Sequence, residues 1–209
     1  TNAYGIIANG GKKIQPNFVQ SIYNKNGKQI FKNTKKICSK CFVKDLSQKI
    51  NVPVIEINEE NIIDSRIAYQ ITSMMEGVIQ RGTARRLKDL DIPLAGKTGT
   101  TNKNKDAWFI GYSPDIVVGV FVGYDQPKSL GYKETGSSVA VPIFKNYALN
   151  SEINKNNKPF RIPNGLTFIN IDPKTGMPSN SKNSIMEPFI SYSENILKNE
   201  INVIDSLGY

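Results

Sequence analysis

The sequence predicts a mixed fold of the α/β (α+β) type, an antiparallel sheet accompanied by helices. Apolar residues recur at helical offsets through one long segment, and three strand-like segments then follow one another across connections too short for crossovers. A hydrophobic content of 39% in 209 residues supplies a sizeable core. Taking the elements in order, residues 3–8 read as the end of a helix stopped by Asn9-Gly10-Gly11, residue types that tolerate positive φ. After Pro16, Phe18, Gln20 and Ile22 alternate with Val19, Ser21 and Tyr23. Asn24 to Gly27 then supply a turn, so residues 28–31 are expected to return as a hairpin partner. Residues 32–61 read as an irregular polar excursion with short apolar pieces near Val52 to Ile57.

The clearest helix starts near Asp64 as N-cap and ends at Arg81-Gly82. Ile67, Ile71, Met74, Met75, Val78 and Ile79 form its expected core face, the Met pair included. Strands are expected at 94–101, 107–112 and 116–124. The last is apolar throughout and so expected to be buried on both faces. Gly119 and Gly123 share a side of it, leaving room for a helix to approach, and residues 137–148, with Ala140, Ile143, Phe144 and Tyr147 on one side, are the candidate. A final strand over 166–171 ends in the turn Asp172-Pro173-Lys174-Thr175-Gly176, and the tail from Pro178 shows little periodicity. The division expected is 1–150 as one unit and 151–209 as an extension carrying the strand and turn near 166–176.

The net charge of +9 raises the question of an acidic partner. Its basic residues are Lys except for Arg66, Arg81, Arg85, Arg86 and Arg161, and they are spread along the chain beside abundant Asn and Ile. A solvated basic surface is therefore expected and no nucleic acid. The absence of His removes the usual proton shuttle and the commonest metal ligand, so no metal and no cofactor are expected. Cys38 and Cys41 lack the second pair or His that a zinc site needs, and they are expected to be a local disulfide or free thiols. No apolar run of membrane-spanning length occurs, and the start at Thr1 without Met is what a segment of a longer polypeptide would give.

The residues that carry chemistry are Lys97-Thr98-Gly99-Thr100. On a strand, Thr98 and Thr100 share a side, so both hydroxyls can bond a substrate carboxylate whose charge Lys97 complements. Gly99 removes a Cβ where a ligand backbone would lie close, and the Thr100 amide is available to a developing oxyanion. The tripeptide alone is a weak signal, expected by accident in roughly one chain of twenty of this length. Its setting is specific: Gln80-Arg81-Gly82-Thr83-Ala84, Ala95-Gly96 before the motif with Thr101-Asn102 after it, Asp106-Ala107-Trp108-Phe109-Ile110-Gly111-Tyr112-Ser113-Pro114, and Phe121-Val122-Gly123-Tyr124-Asp125. Together these resemble the transpeptidase domain of class A, bifunctional penicillin-binding proteins, over about residues 1–178.

The resemblance implies the C-terminal portion of a penicillin-binding transpeptidase and serine β-lactamase-like fold, with the antiparallel sheet flanked by helices. It implies acyl transfer from the D-Ala-D-Ala end of a peptidoglycan stem peptide or lipid-linked precursor, inhibition by β-lactams, and work at the periplasmic face of the inner membrane. An anchor and a glycosyltransferase domain are implied upstream. It further implies that Lys97 orients substrate and tunes proton transfer, that Thr98 and Thr100 bind the terminal carboxylate, and that the Thr100 amide is half of the oxyanion hole. Trp108, Phe109, Gly111 and Arg81 are expected to be structural.

In such enzymes a Ser-x-x-Lys nucleophile and a Ser-x-Asn motif precede the Lys-Thr-Gly, and neither occurs between Thr1 and Lys97. Ser179-Asn180-Ser181-Lys182 and Ser181-Lys182-Asn183 fit those patterns, but they follow the motif in an Asn-rich stretch unsuited to a rigid nucleophile. The isolated chain is therefore expected to be inactive and to fold poorly alone. Two other readings are a serine β-lactamase relative, which the segments around Arg81 and Phe121 fit less well, and a degenerate wall-binding module whose parent would also lack the serine.

Overall fold

The computed structural model describes residues 1–33, 36–39, 54–57, 60–155 and 157–191. Its centre is an antiparallel sheet of β5 (Ala95–Thr100), β6 (Ala107–Tyr112) and β7 (Val117–Val122), in that spatial order. Each pairs in register with the next, Thr98 opposite Phe109 and Phe109 opposite Val120. One face, bearing Phe109 and Val120, packs against α3 (Val141–Leu149), a π-helical turn (Gly136–Ala140) that opens it, and a 3₁₀ segment (Arg85–Leu90). Phe144 of α3 meets Phe109 edge to face at 4.9 Å. The other face carries Ala95, Tyr112 and Val117, which pack with Tyr4 and Ile7 of α1 (Asn2–Ala8) and with Tyr69 and Met75 of α2 (Ser65–Gln80).

The helix boundaries follow the capping chemistry read from the sequence. Asp64 accepts a 2.8 Å hydrogen bond from the Arg66 amide, satisfying a donor that the first turn of α2 leaves without a partner. The Arg66 guanidinium on the same carboxylate holds its pKa down near 2. At the end of α1, Gly10 and Gly11 take φ of 67° and 90°, and their amides close onto the Ile7 and Ile6 carbonyls. β1 (Ser21–Tyr23) and β2 (Gln29–Lys32) pair around the expected turn, with Asn24 accepting from the Asn26 and Lys28 amides.

Five expectations change. The stretch 32–61 is not wholly irregular, because β3 (Lys36–Ser39) and β4 (Val54–Ile57) form an antiparallel ribbon. Cys41 and the side chain of Cys38 lie outside the described residues, and the reading of the cysteine pair with them. On α2 the buried stripe is Ala68, Thr72 and Ile79, turned about one position from the expected face, so Ile67 and Met74 are exposed while Met75 and Val78 pack as expected. β7 is covered on one face only along its second half, where Phe121 is 51% exposed. The helix near Gly119 is α1, whose leading Thr1 side chain abuts it. α3 lies on the opposite face, with Ile143 and Tyr147 turned outward. Finally, the tail contains β9 (Ile185–Ile190), paired along its length with β8 (Leu166–Ile171). Pro188, which lacks an amide hydrogen, and Glu187 had spoiled its alternation.

Candidate active site

β5 is an edge strand among the described residues. Residues of an antiparallel pair point their N–H and C=O alternately toward and away from the partner. The backbone N and O of Gly99 lie beside the Trp108 carbonyl, where Gly136 covers them, so Gly99 is the residue that bonds β6. Thr98 and Thr100 therefore turn their backbone groups to the open edge. Consistent with this, the Thr98 carbonyl accepts from Lys97 Nζ at 2.9 Å. The Thr100 N–H thus points outward, beside an exposed lysine ammonium.

The side chains divide by face. Lys97 and Gly99 share the face of Trp108 and Ile110, and a Cβ at Gly99 would sit 3.3 Å from the Trp108 Cβ. Trp108 meets Phe121 with the rings tilted by 46° and 4.6 Å between their centres. Thr98 and Thr100 share the other face, as their spacing requires. There each hydroxyl has a partner from a distant element: Thr98 Oγ1 lies 2.8 Å from Thr83 Oγ1, and Thr100 Oγ1 accepts from the Gly136 amide at 3.0 Å. Ser137 Oγ donates to the Thr83 carbonyl at 2.6 Å, joining the two supports. A Cβ on Gly136 would fall 2.3 Å from the Trp108 carbonyl and 2.7 Å from that of Gly99, so only glycine lets the π-helical turn approach β5 this closely.

The structure thus brings Lys97, Thr98, Gly99 and Thr100 together on one exposed edge. Thr83, Gly136 and Ser137 support them, and the sequence reading assigned these three no part in the site. Local patterning carries no signal for contacts made across 15 and 36 residues. Of the residues expected to be structural, Phe109 and Gly111 are buried against Phe144, and Arg81 pairs with Glu187 of β9. Trp108 is 41% exposed. Ser181 and Lys182 sit in an exposed turn between β8 and β9. Two cavities of about 570 and 420 Å³ lie along α2, and none of Lys97, Thr98 or Thr100 lines either. Among the described residues no group of three or more His, Cys, Asp or Glu side chains could hold a metal, and no helix is long and apolar enough to cross a membrane.

Residues 1–148 match the family model of the penicillin binding protein transpeptidase domain. The chain belongs to the penicillin-binding protein transpeptidase family. It is 44% identical to penicillin-binding protein 1A of Rickettsia bellii over 99% of its own length and 26% of that protein's. It is 35% identical to penicillin-binding protein 1A of Neisseria gonorrhoeae over 80% of this chain and 19% of the relative. The crystal structure of penicillin-binding protein 1A from Haemophilus influenzae superposes with a TM-score of 0.73 at 29% identity, covering 91% of this chain and 31% of that one. The chain therefore spans about a quarter of the length of the penicillin-binding protein 1A of R. bellii, and its mixed helix and antiparallel-sheet fold is the one these transpeptidases share.

Proposed function

We propose that this segment is the carboxylate-binding and oxyanion wall of a serine D,D-transpeptidase that cross-links peptidoglycan, and that the nucleophile belongs to an upstream part of the same polypeptide. The observation that carries the reading is the edge geometry of β5: an outward amide at Thr100, two hydroxyls on one face at Thr98 and Thr100, and an ammonium at Lys97. A stem peptide lying along this edge would meet donors where its terminal carboxylate ends. The Lys97 ammonium offsets that carboxylate's charge. As the serine oxygen attacks the penultimate D-Ala carbonyl, negative charge collects on the carbonyl oxygen, and the Thr100 N–H, which points outward from the edge, would receive it. One such donor lowers the barrier by about 2.7 to 4 kcal/mol. Terminal D-Ala leaves with a proton, and the acyl group passes to the amine of a neighbouring stem peptide. A β-lactam, which also carries a carboxylate beside a reactive amide carbonyl, would be held by the same groups.

On this reading residues 1–150 complete the transpeptidase domain and 151–209 extend it. The whole protein works at the periplasmic face of the inner membrane, held by an upstream anchor, and the segment alone neither acylates with β-lactam nor turns over peptide. The test is fluorescent penicillin labelling of the longer polypeptide and of this segment, with sequencing of the frame upstream of Thr1. Labelling of the longer form alone, with Ser-x-x-Lys and Ser-x-Asn upstream, is the expected result. Labelling of the segment alone, or an upstream frame with stop codons or a replaced serine, would overturn it.

A further inference from the structure

We propose that Thr83 and the amide of Gly136 are positioning groups that hold the hydroxyls of Thr98 and Thr100 as donors, so that this wall selects a terminal carboxylate over a neutral ester or amide. The inference rests on the transpeptidase reading above and deepens it. A hydroxyl has one proton and two lone pairs, so an oxygen that accepts a hydrogen bond from behind keeps its proton for the ligand in front. The Gly136 amide can only donate, which fixes Thr100 Oγ1 as the acceptor of that 3.0 Å bond and leaves its own proton to donate. Between Thr83 and Thr98, at 2.8 Å, either oxygen can donate. A carboxylate, which only accepts, settles the direction: the Thr98 proton turns to the ligand and the Thr83 proton to Thr98. Two parallel relays result, one from Thr83 through Thr98 and one from Gly136 through Thr100.

The two relays are built as one unit. Gly136 follows directly on Thr135, which accepts from the Ser138 amide at the start of the π-helical turn. Ser137 of the same turn donates to the Thr83 carbonyl at 2.6 Å. Lys97 lies on the opposite face of β5 and bonds the Thr98 carbonyl, so it supplies charge without setting the direction of either hydroxyl. An ester oxygen accepts more weakly than a carboxylate oxygen, and a carboxamide places an N–H2 donor where one relay expects an acceptor.

The experiment uses the longer polypeptide and measures second-order acylation by a penicillin and by its carboxyl methyl ester. Thr83→Val keeps the shape and removes the proton at the head of one relay. The expected result is a fall of about two- to tenfold in the acid-to-ester rate ratio, the loss of the neutral hydrogen bond that backs the Thr98 hydroxyl. Thr83→Ser, which keeps the hydroxyl, is expected to retain the wild-type ratio. An unchanged ratio in Thr83→Val overturns the inference, whether the two rates fall together or not at all, and leaves the transpeptidase reading standing. A wild type that labels with neither compound overturns that reading and the inference with it. Should Thr83→Val yield no folded protein, Ser137→Ala, which loosens the Thr83 backbone, carries the same test: a lowered ratio supports the relay and an unchanged one refutes it.

Discussion

At the scale of single residues, Glu76 is a partly buried carboxylate whose protonation the fold changes. It lies on α2 beside the smaller cavity, and burial together with the nearby charge of Glu187 pushes its pKa from 4.5 to about 7. Glu187 faces it from β9 while bonded to Arg81 and Ser73. Tyr69 and Tyr112 are raised in part by the Glu76 charge, Tyr112 to about 12, with burial the larger cause for both. The folded state thus holds a proton on Glu76 that the unfolded chain has released. Stability from this group is complete below pH 4.5 and is lost as pH rises through about 7. Glu76→Gln should flatten that loss and, above about pH 7.5, stabilise the fold by on the order of 1 to 3 kcal/mol, read from thermal melts across the pH range. Equal pH slopes for wild type and variant would refute it. No periodicity rule flags Glu76, because its neighbours Met74, Met75 and Val78 fit an apolar stripe and the groups around it, Glu187 of β9 and Pro159, Phe160 and Ile162 at the smaller cavity, are distant in sequence.

At the scale of elements, the legible parts are those whose cause is local. The Asp64 cap, the glycine stop after α1, the hairpin turn at Asn24 to Gly27 and the Asp172 turn all depend on residues within five positions, and all four form. The strand pairing of β5, β6 and β7 was legible because short connections leave few alternatives. What the sequence concealed is non-local: which face of α2 is buried, the ribbon partner of β8, and the π-helical turn resting on β5. That last contact supports a prediction. Gly136→Ala places a Cβ within 2.3 to 2.7 Å of two backbone carbonyls, which cannot swing aside as a side chain could. The turn must lift from β5 and release Thr100, at a cost of about 1 to 3 kcal/mol or more in stability. Penicillin labelling should fall together with the thermal midpoint. Wild-type labelling and stability would mean that the turn does not support the site. A second element-scale test concerns the tie between α2 and β9. Arg81 and Glu187 pair with Glu187 largely buried, and Ser73 bonds the same carboxylate at 3.0 Å. A double-mutant cycle at 81 and 187 should return a coupling near 1 kcal/mol that weakens with added salt, and a value at zero would remove the ion pair from the account.

For the whole molecule, the arrangement of apolar surface bears on the proposed longer polypeptide. One sheet face is closed by α3 and the Arg85–Leu90 segment, with Phe109 and Phe144 fully buried. The other is covered by α1 and α2 only toward the Ala95, Tyr112 and Val117 end. Toward the Thr100 end it shows the tilted ring pair Trp108 and Phe121, 41% and 51% exposed. Ile67 and Met74 of α2 are exposed as well, on positions the periodicity had assigned to a core. The sequence reading of β7 as buried on both faces fails for this segment, yet its composition fits a strand with a cover on each side. If the proposed upstream region supplies that cover, it does so on the face that carries Lys97, next to the open edge where the nucleophile is needed. Trp108, the single tryptophan of the chain, reports on this directly. The difference in emission between wild type and Trp108→Phe should be blue-shifted and resistant to acrylamide in the longer polypeptide, and red-shifted and readily quenched in the segment alone. Equal quenching in both would show that nothing upstream lies against this face.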